Sequence, residues 1–126
     1  MSFIATTHNI TVTATPVYLA LQSDFFAHRF AFAYFIEILN DGDESVQLVR
    51  RRWRIVDGNG KTNIVEGEGV IGKQPHIKPG ENYEYNSFCI LETFTGYMKG
   101  KYVMRKENGE EFEIIIPKFI LSANSN

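Results

Sequence analysis

The chain has 126 residues, the size of one domain, and can bury a single core without disulfide or metal staples. Apolar residues make up 44% and charged residues 22%, with a formal net charge of −2 at pH 7, so no global field draws the chain to nucleic acid or anionic lipid. The most apolar run, 30–36, is stopped by Glu37, far short of the ~20 residues of a bilayer span.

The N-terminus, Met1-Ser2-Phe3-Ile4-Ala5-Thr6-Thr7-His8, has neither the basic start nor the long apolar stretch of a signal peptide. Cys89 is the single cysteine and lies in an apolar stretch without nearby positive charge, which predicts a buried, inert thiol. Both features point to a reducing, cytoplasmic setting and no membrane insertion.

In chain order, a first strand is expected near 10–21, bent at Pro16. From Phe30 the residues alternate: Phe30, Phe32, Tyr34, Ile36 and Ile38 on one parity, Ala31, Ala33, Phe35, Glu37 and Leu39 on the other. Period two with aromatic and β-branched residues predicts a strand whose larger face enters the core. Turn signals then recur at strand-length intervals: Asp41-Gly42, Asp57-Gly58-Asn59-Gly60, Pro79-Gly80 and Asn108-Gly109. Between them, 46–56, 83–91, 98–104 and 112–116 are strand-like. No window shows an apolar 3.6 period, so the expectation is a single all-β sandwich or barrel spanning 1–126, with no helix longer than two turns and a polar tail, 122–126, that frays.

"GEGVIGK", 67–73, fits two phosphate-binding patterns. Gly67, Gly69 and Gly72 read as G-x-G-x-x-G, while Gly67, Gly72 and Lys73 read as the front of a P-loop. Both need a helix after the loop, and Pro75 and Pro79 forbid it. The P-loop also needs a hydroxyl after the lysine to hold Mg²⁺, where Gln74 stands. Two readings remain. The glycine amides could form an anion nest with Lys73 as counter-charge, opposed by Glu66 and Glu68, or the glycines could serve a sharp inter-strand connection. Either way, 67–73 is expected to be an exposed or half-exposed loop with at least one glycine at positive φ.

"RRRWR", 50–54, is the dense basic cluster. On a strand, Trp53 faces the core and Arg51 lies on the same side, needing a carboxylate or carbonyl partner. Arg50, Arg52 and Arg54 form a stripe about 13–14 Å long on the other face. They either pair with surface acids or present a candidate basic face to an anionic partner. Aromatics do not interleave with them, so a single-stranded nucleic-acid platform is unsupported. His8, His28 and His76 are scattered and lack ligand spacing, and Ser87 has no nucleophile elbow around it, so neither a metal site nor a catalytic residue is expected.

Taken together, these segments resemble the bacterial ApaG family. The resemblance rests on "FAYFIEILNDGDESVQL" (32–48), Arg51-Arg52-Trp53 and "VEGEGVIGKQPHIKPGENYEY" (65–85). It continues through Leu91-Glu92-Thr93, "GYMKGKYVM" (96–104) and Ile116-Pro117-Lys118-Phe119-Ile120-Leu121. Departures are Phe88 where the family tends to have Gly, Phe94 where it often has Pro, and Arg52 where it often has His. The resemblance implies a fibronectin type III or immunoglobulin-like β-sandwich of about seven strands. It implies no established catalysis and no cofactor. Related domains in F-box proteins and in a DNA polymerase-associated protein look like interaction modules, so an unknown protein partner is expected here.

The family's glycine motif has been proposed to bind pyrophosphate or nucleotide, which falls here on Gly67, Gly69, Gly72 and Lys73. Its genes are linked to a dinucleoside tetraphosphatase and to a cobalt and magnesium efflux phenotype. Without a spanning segment or a carboxylate cage, any link of this chain to divalent-cation homeostasis must be indirect. The competing expectation is an enzyme or direct regulator acting on nucleoside polyphosphates, with Lys73 and some of the three arginines converging on phosphate.

Overall fold

The computed structural model describes residues 1–124. Among them are nine strands and, as the only helical element, a 3-10 turn at Ala20–Gln22. One antiparallel sheet has the order β1-β2-β3-β7, from Phe3–Thr7, Ile10–Tyr18, Phe30–Asn40 and Asn82–Leu91. The other has the order β5-β4-β8-β9, from Thr62–Glu68, Val46–Asp57, Thr95–Lys106 and Glu111–Ser122. The short β6, His76–Ile77, pairs with the start of β4. The expected all-β sandwich is therefore the fold, with more strands than the seven or so anticipated.

Alternation builds the core. Phe30, Phe32, Tyr34, Ile36 and Ile38 of β3 are all buried, as their shared parity demands. Facing them are Leu48 and Trp53 of β4, Met98, Tyr102 and Met104 of β8, and Ile114, Ile116 and Phe119 of β9. Trp53 joins the two layers, its ring 5.4 Å from Tyr34 in the opposite sheet and 5.8 Å from Phe119 in its own. Among the described residues Asn40 is the buried polar one, and both ends of its amide are bonded. Nδ2 donates to the carbonyls of Glu44 and Ile77 at 2.8 and 2.9 Å, while Oδ1 accepts from Gly42 N at 3.0 Å.

Three expectations needed revision. Residues 3–7 form a strand that the sequence concealed, because the β1–β2 hairpin turns on His8 and Asn9, both at positive φ, without a glycine. The strand expected to run to residue 21 ends at Tyr18. Pro16 lies beyond the last β1 partner, where one side of β2 is an edge that tolerates a missing N–H. The tail expected to fray from residue 122 is held at its start: Ser122 belongs to β9 and Ala123 N donates to Phe94 O at 3.0 Å. Ser125 and Asn126 lie outside the described residues.

The sandwich has two unlike sides. Where β1 meets β9 it is tied across, Ile115 N donating to Thr7 Oγ1 at 3.1 Å. On the other side β5 and β7 are the sheet edges, and the glycine segment hangs between them.

Candidate functional site: the glycine hairpin and the open edge

The glycine segment is not a plain loop. Gly67 and Glu68 belong to β5, opposite Arg51 and Arg50. The chain then leaves the sheet and rejoins the same edge of β4 at β6. This excursion stands opposite a bulge in β4 between Leu48 and Arg50. The bulged residue, Val49, gives its carbonyl to Gly69 N at 2.8 Å and to Gln74 Nε2 at 2.9 Å, which closes the gap. At the tip, Val70 and Lys73 exchange backbone bonds of 2.8 and 3.0 Å around Ile71 and Gly72. Those two residues have φ of 47° and 73°, the signature of a type I′ hairpin turn.

Each glycine then has a structural requirement of its own. A Cβ on Gly67 would stand 2.8 Å from Arg51 Nη1, so its absence lets the guanidinium lie across β5. Arg51 Nη1 there donates to Glu68 O at 3.1 Å and Gly69 O at 2.9 Å, the carbonyl partners its core-side position called for. Gly69 has φ +60°, and a Cβ on it would meet Lys73 O at 2.0 Å. Gly72 takes the second left-handed position of the turn.

Within the segment the amides of Gly69, Val70 and Lys73 are already bonded to protein carbonyls. Glu66 does not lie on the loop side: it faces outward from β5 and pairs with Arg52 at 3.3 Å. The expectation of an exposed or half-exposed 67–73 also fails at Gly69, which is buried, and at Val70, which is wholly buried and anchors the hairpin in the core.

Ile71 departs from this pattern. It is 60% exposed at the tip, and a β-branched residue at positive φ is a true conformational outlier. With Phe88 of β7, 66% exposed, it flanks a cleft of about 240 Å³ between the two sheet edges. Arg51, Trp53, Tyr34, Tyr85, Ser87 and Cys89 line its interior. Burial pushes the Cys89 thiol up to about 12, and its Sγ is 3.7 Å from Met98 Sδ, so it is no nucleophile at neutral pH. Burial also raises the Tyr34 phenol, with Ser87 and the Arg51 charge offsetting part of the rise. The Tyr85 and Tyr102 hydroxyls hydrogen-bond to each other, and burial drives both upward. These groups stay protonated, which suits a rigid wall rather than acid–base chemistry.

The arginine stripe divides. Arg50 Nη2 bonds Glu111 Oε1 at 2.8 Å, and Arg105 holds the other carboxylate oxygen at 2.7 Å. Those contacts, from Arg50 first and Arg105 next, keep the Glu111 carboxyl below its ordinary range. Arg52 pairs with Glu66, whereas Arg54 has no carboxylate partner among the described residues. Sequence reasoning missed that Lys99, Lys101 and Lys118 join Arg52 and Arg54 on the same outer face. The alternation in Lys99-Gly100-Lys101 carried a signal of shared parity, but its alignment with β4 depended on a pairing no local pattern reveals. Among the described residues no group of three or more His, Cys, Asp or Glu could hold a metal ion, and no helix is long and apolar enough to cross a membrane.

Comparison with known proteins agrees with this architecture. Residues 20–106 match the ApaG domain. The chain is 45% identical to Protein ApaG of Brucella abortus over 119 residues, covering 94% of this chain and 92% of that protein. It is 47% identical to Protein ApaG of Agrobacterium fabrum over the same extents. The crystal structure of the putative ApaA protein from Bordetella pertussis matches with a TM-score of 0.88 at 42% identity, covering 90% of this chain and 92% of that one. The chain belongs to the ApaG domain family.

Proposed function

We propose that this domain is a non-catalytic, cytoplasmic binding module that recognises a protein partner through the open edge between β5 and β7. Ile71 carries the reading. Holding a branched side chain in the left-handed region costs on the order of 1–3 kcal/mol, and strain of this kind concentrates at ligand clamps. Glycine would remove the strain and close the same turn. An isoleucine kept there, in solvent beside Phe88, supplies an apolar anchor on a rigid support, as interface hot spots do. A role in cobalt or magnesium homeostasis would then run through the partner.

The test is to make Ile71→Gly and, separately, Phe88→Asp. Ile71→Gly is expected to raise stability by about 0.5–1.5 kcal/mol, the relief of strain exceeding the added chain entropy. Both variants should lose proteins that the wild-type domain captures from native lysate. Capture that survives both substitutions would overturn the reading, and so would a lower melting temperature for Ile71→Gly.

The same segment is the candidate for pyrophosphate or nucleotide, through Gly67, Gly69, Gly72 and Lys73. With three of its amides committed to carbonyls and no helix dipole behind it, its affinity is expected to be weak and salt-sensitive. Calorimetric titration with pyrophosphate and ATP at low and physiological salt checks this. Tight, salt-insensitive binding, lost in a folded Gly72→Val protein, would reverse the expectation.

A further inference from the structure

The outer face of the five-stranded sheet sets like charges directly opposite each other twice in succession. In the β4–β8 register Arg52 stands opposite Lys101, and Arg54 stands opposite Lys99. Like charges directly across an antiparallel pair destabilise it, and here two such pairs are consecutive on one face. Lys118 of β9 lines the same groove. Among the described residues only two carboxylates answer these five cations: Glu66 at 3.3 Å from Arg52 Nε and Glu113 at 3.6 Å from Lys101 Nζ. Arg54 and Lys99 have no carboxylate partner among the described residues, and Lys118 lies over the Tyr97 ring at 4.2 Å. Elsewhere on this sheet the neighbouring cations are neutralised: Arg50 and Arg105 share Glu111, and Lys106 reaches Glu44 and Glu110.

The unneutralised cations surround a groove of about 410 Å³. Its floor is backbone at Gly100, beside a bulge between β8 and β9, where a Cβ would meet Arg52 O at 2.1 Å. Its apolar lining includes the exposed side chains of Ile64 and Ile115. A local rule broken without compensation inside the fold marks a surface shaped for something outside it.

We infer that this groove is a second binding site, beyond the open-edge reading, and that it takes a short acidic peptide segment carrying apolar side chains. The arrangement selects that chemistry. The cations rise from a sheet at about 4.8 Å across strands and about 6.8 Å along them, so they form a grid without a common focus. A single phosphate wants its donors to converge, whereas carboxylates spaced along a peptide match a grid. Ile64 and Ile115 offer aliphatic contact instead of a stacking platform for bases. Glu66, Glu68, Glu111 and Glu113 close the patch at its Arg50 end, which disfavours a polyanion continuing in that direction.

The experiment uses the intact chain and a short fluorescent peptide of glutamates with interspersed leucines, read by anisotropy. The wild-type protein should bind it, more weakly as salt is raised. The double variant Arg54→Gln/Lys99→Gln should lose affinity by about tenfold or more. Its melting temperature should not fall, and should rise if relief of the cross-strand repulsion dominates. That combination separates a binding role from a structural one. A glutamate peptide without leucines should bind less well than the leucine-containing one. Three results would overturn the inference: no peptide binding at low salt, equal affinity in the double variant, or tighter binding of a single-stranded oligonucleotide through the same two residues.

Discussion

Trp53→Ala is expected to destabilise the domain by about 3–5 kcal/mol. Trp53 is 2% exposed and touches both layers of the core. Its ring lies 5.4 Å from Tyr34 of β3, 6.4 Å from Tyr102 of β8 and 5.8 Å from Phe119 of β9, with tilted or edge-on geometry throughout. Such contacts add to the burial of a large apolar surface. No neighbour is placed to fill the space, because Tyr102 is held by its hydroxyl contact to Tyr85 and Phe119 by its strand position. Trp53 also lines the cleft beneath the glycine hairpin, so its loss would loosen the wall that supports Val70 and Ile71. Thermal unfolding followed by circular dichroism should show a drop on the order of 10 °C or more. A melting curve close to wild type would remove Trp53 from its place as the link between the sheets. Trp53→Phe, which keeps an aromatic ring there, should recover part of the loss.

How much of this was legible in the sequence depended on where side chains announce their neighbours. β3 was readable because its five large residues on one parity meet a core, and the glycine-bearing turns after β4 and β8 sat where hairpins require positive φ: Gly60 and Gly109 have it. β5 was not readable: six of its seven residues are exposed, and an edge strand facing solvent keeps no apolar alternation. The glycine segment was half legible. The prolines correctly removed a helix, but nothing local disclosed that the segment is an excursion opposite a bulge in β4. Nor could residue type show that Gly67 makes room for Arg51, a contact between cross-strand partners set by register. The same holds for the basic face. Arg52 and Arg54 were visible as a stripe, and only the β4–β8 alignment turns them and two lysines into opposed like-charge pairs.

Alkali should unfold the domain through its buried thiol and phenols. Burial raises the Cys89 thiol from its ordinary 9.0 to about 12. It also raises the Tyr34, Tyr85 and Tyr102 phenols above their ordinary 10.0, with the nearby Arg51 charge only partly opposing. In each case the unfolded chain releases the proton first, so above the unfolded pKa the native state binds more protons than the unfolded one. Stability is then fully present below about pH 9 and falls as pH rises, with a slope of up to ~1.4 kcal/mol per unit for each group. With four such groups titrating, a domain of ordinary stability, about 5–15 kcal/mol, should approach its midpoint within a few pH units. Denaturant unfolding across the alkaline range should give a flat limb followed by this decline. Cys89→Ala removes the first group to titrate, so its decline should begin later, toward the tyrosine value of 10.0. An onset that does not move in Cys89→Ala would place the first proton elsewhere. Stability that holds well above pH 10 would mean that the buried phenols of the cleft reach solvent and ionise without disturbing the fold.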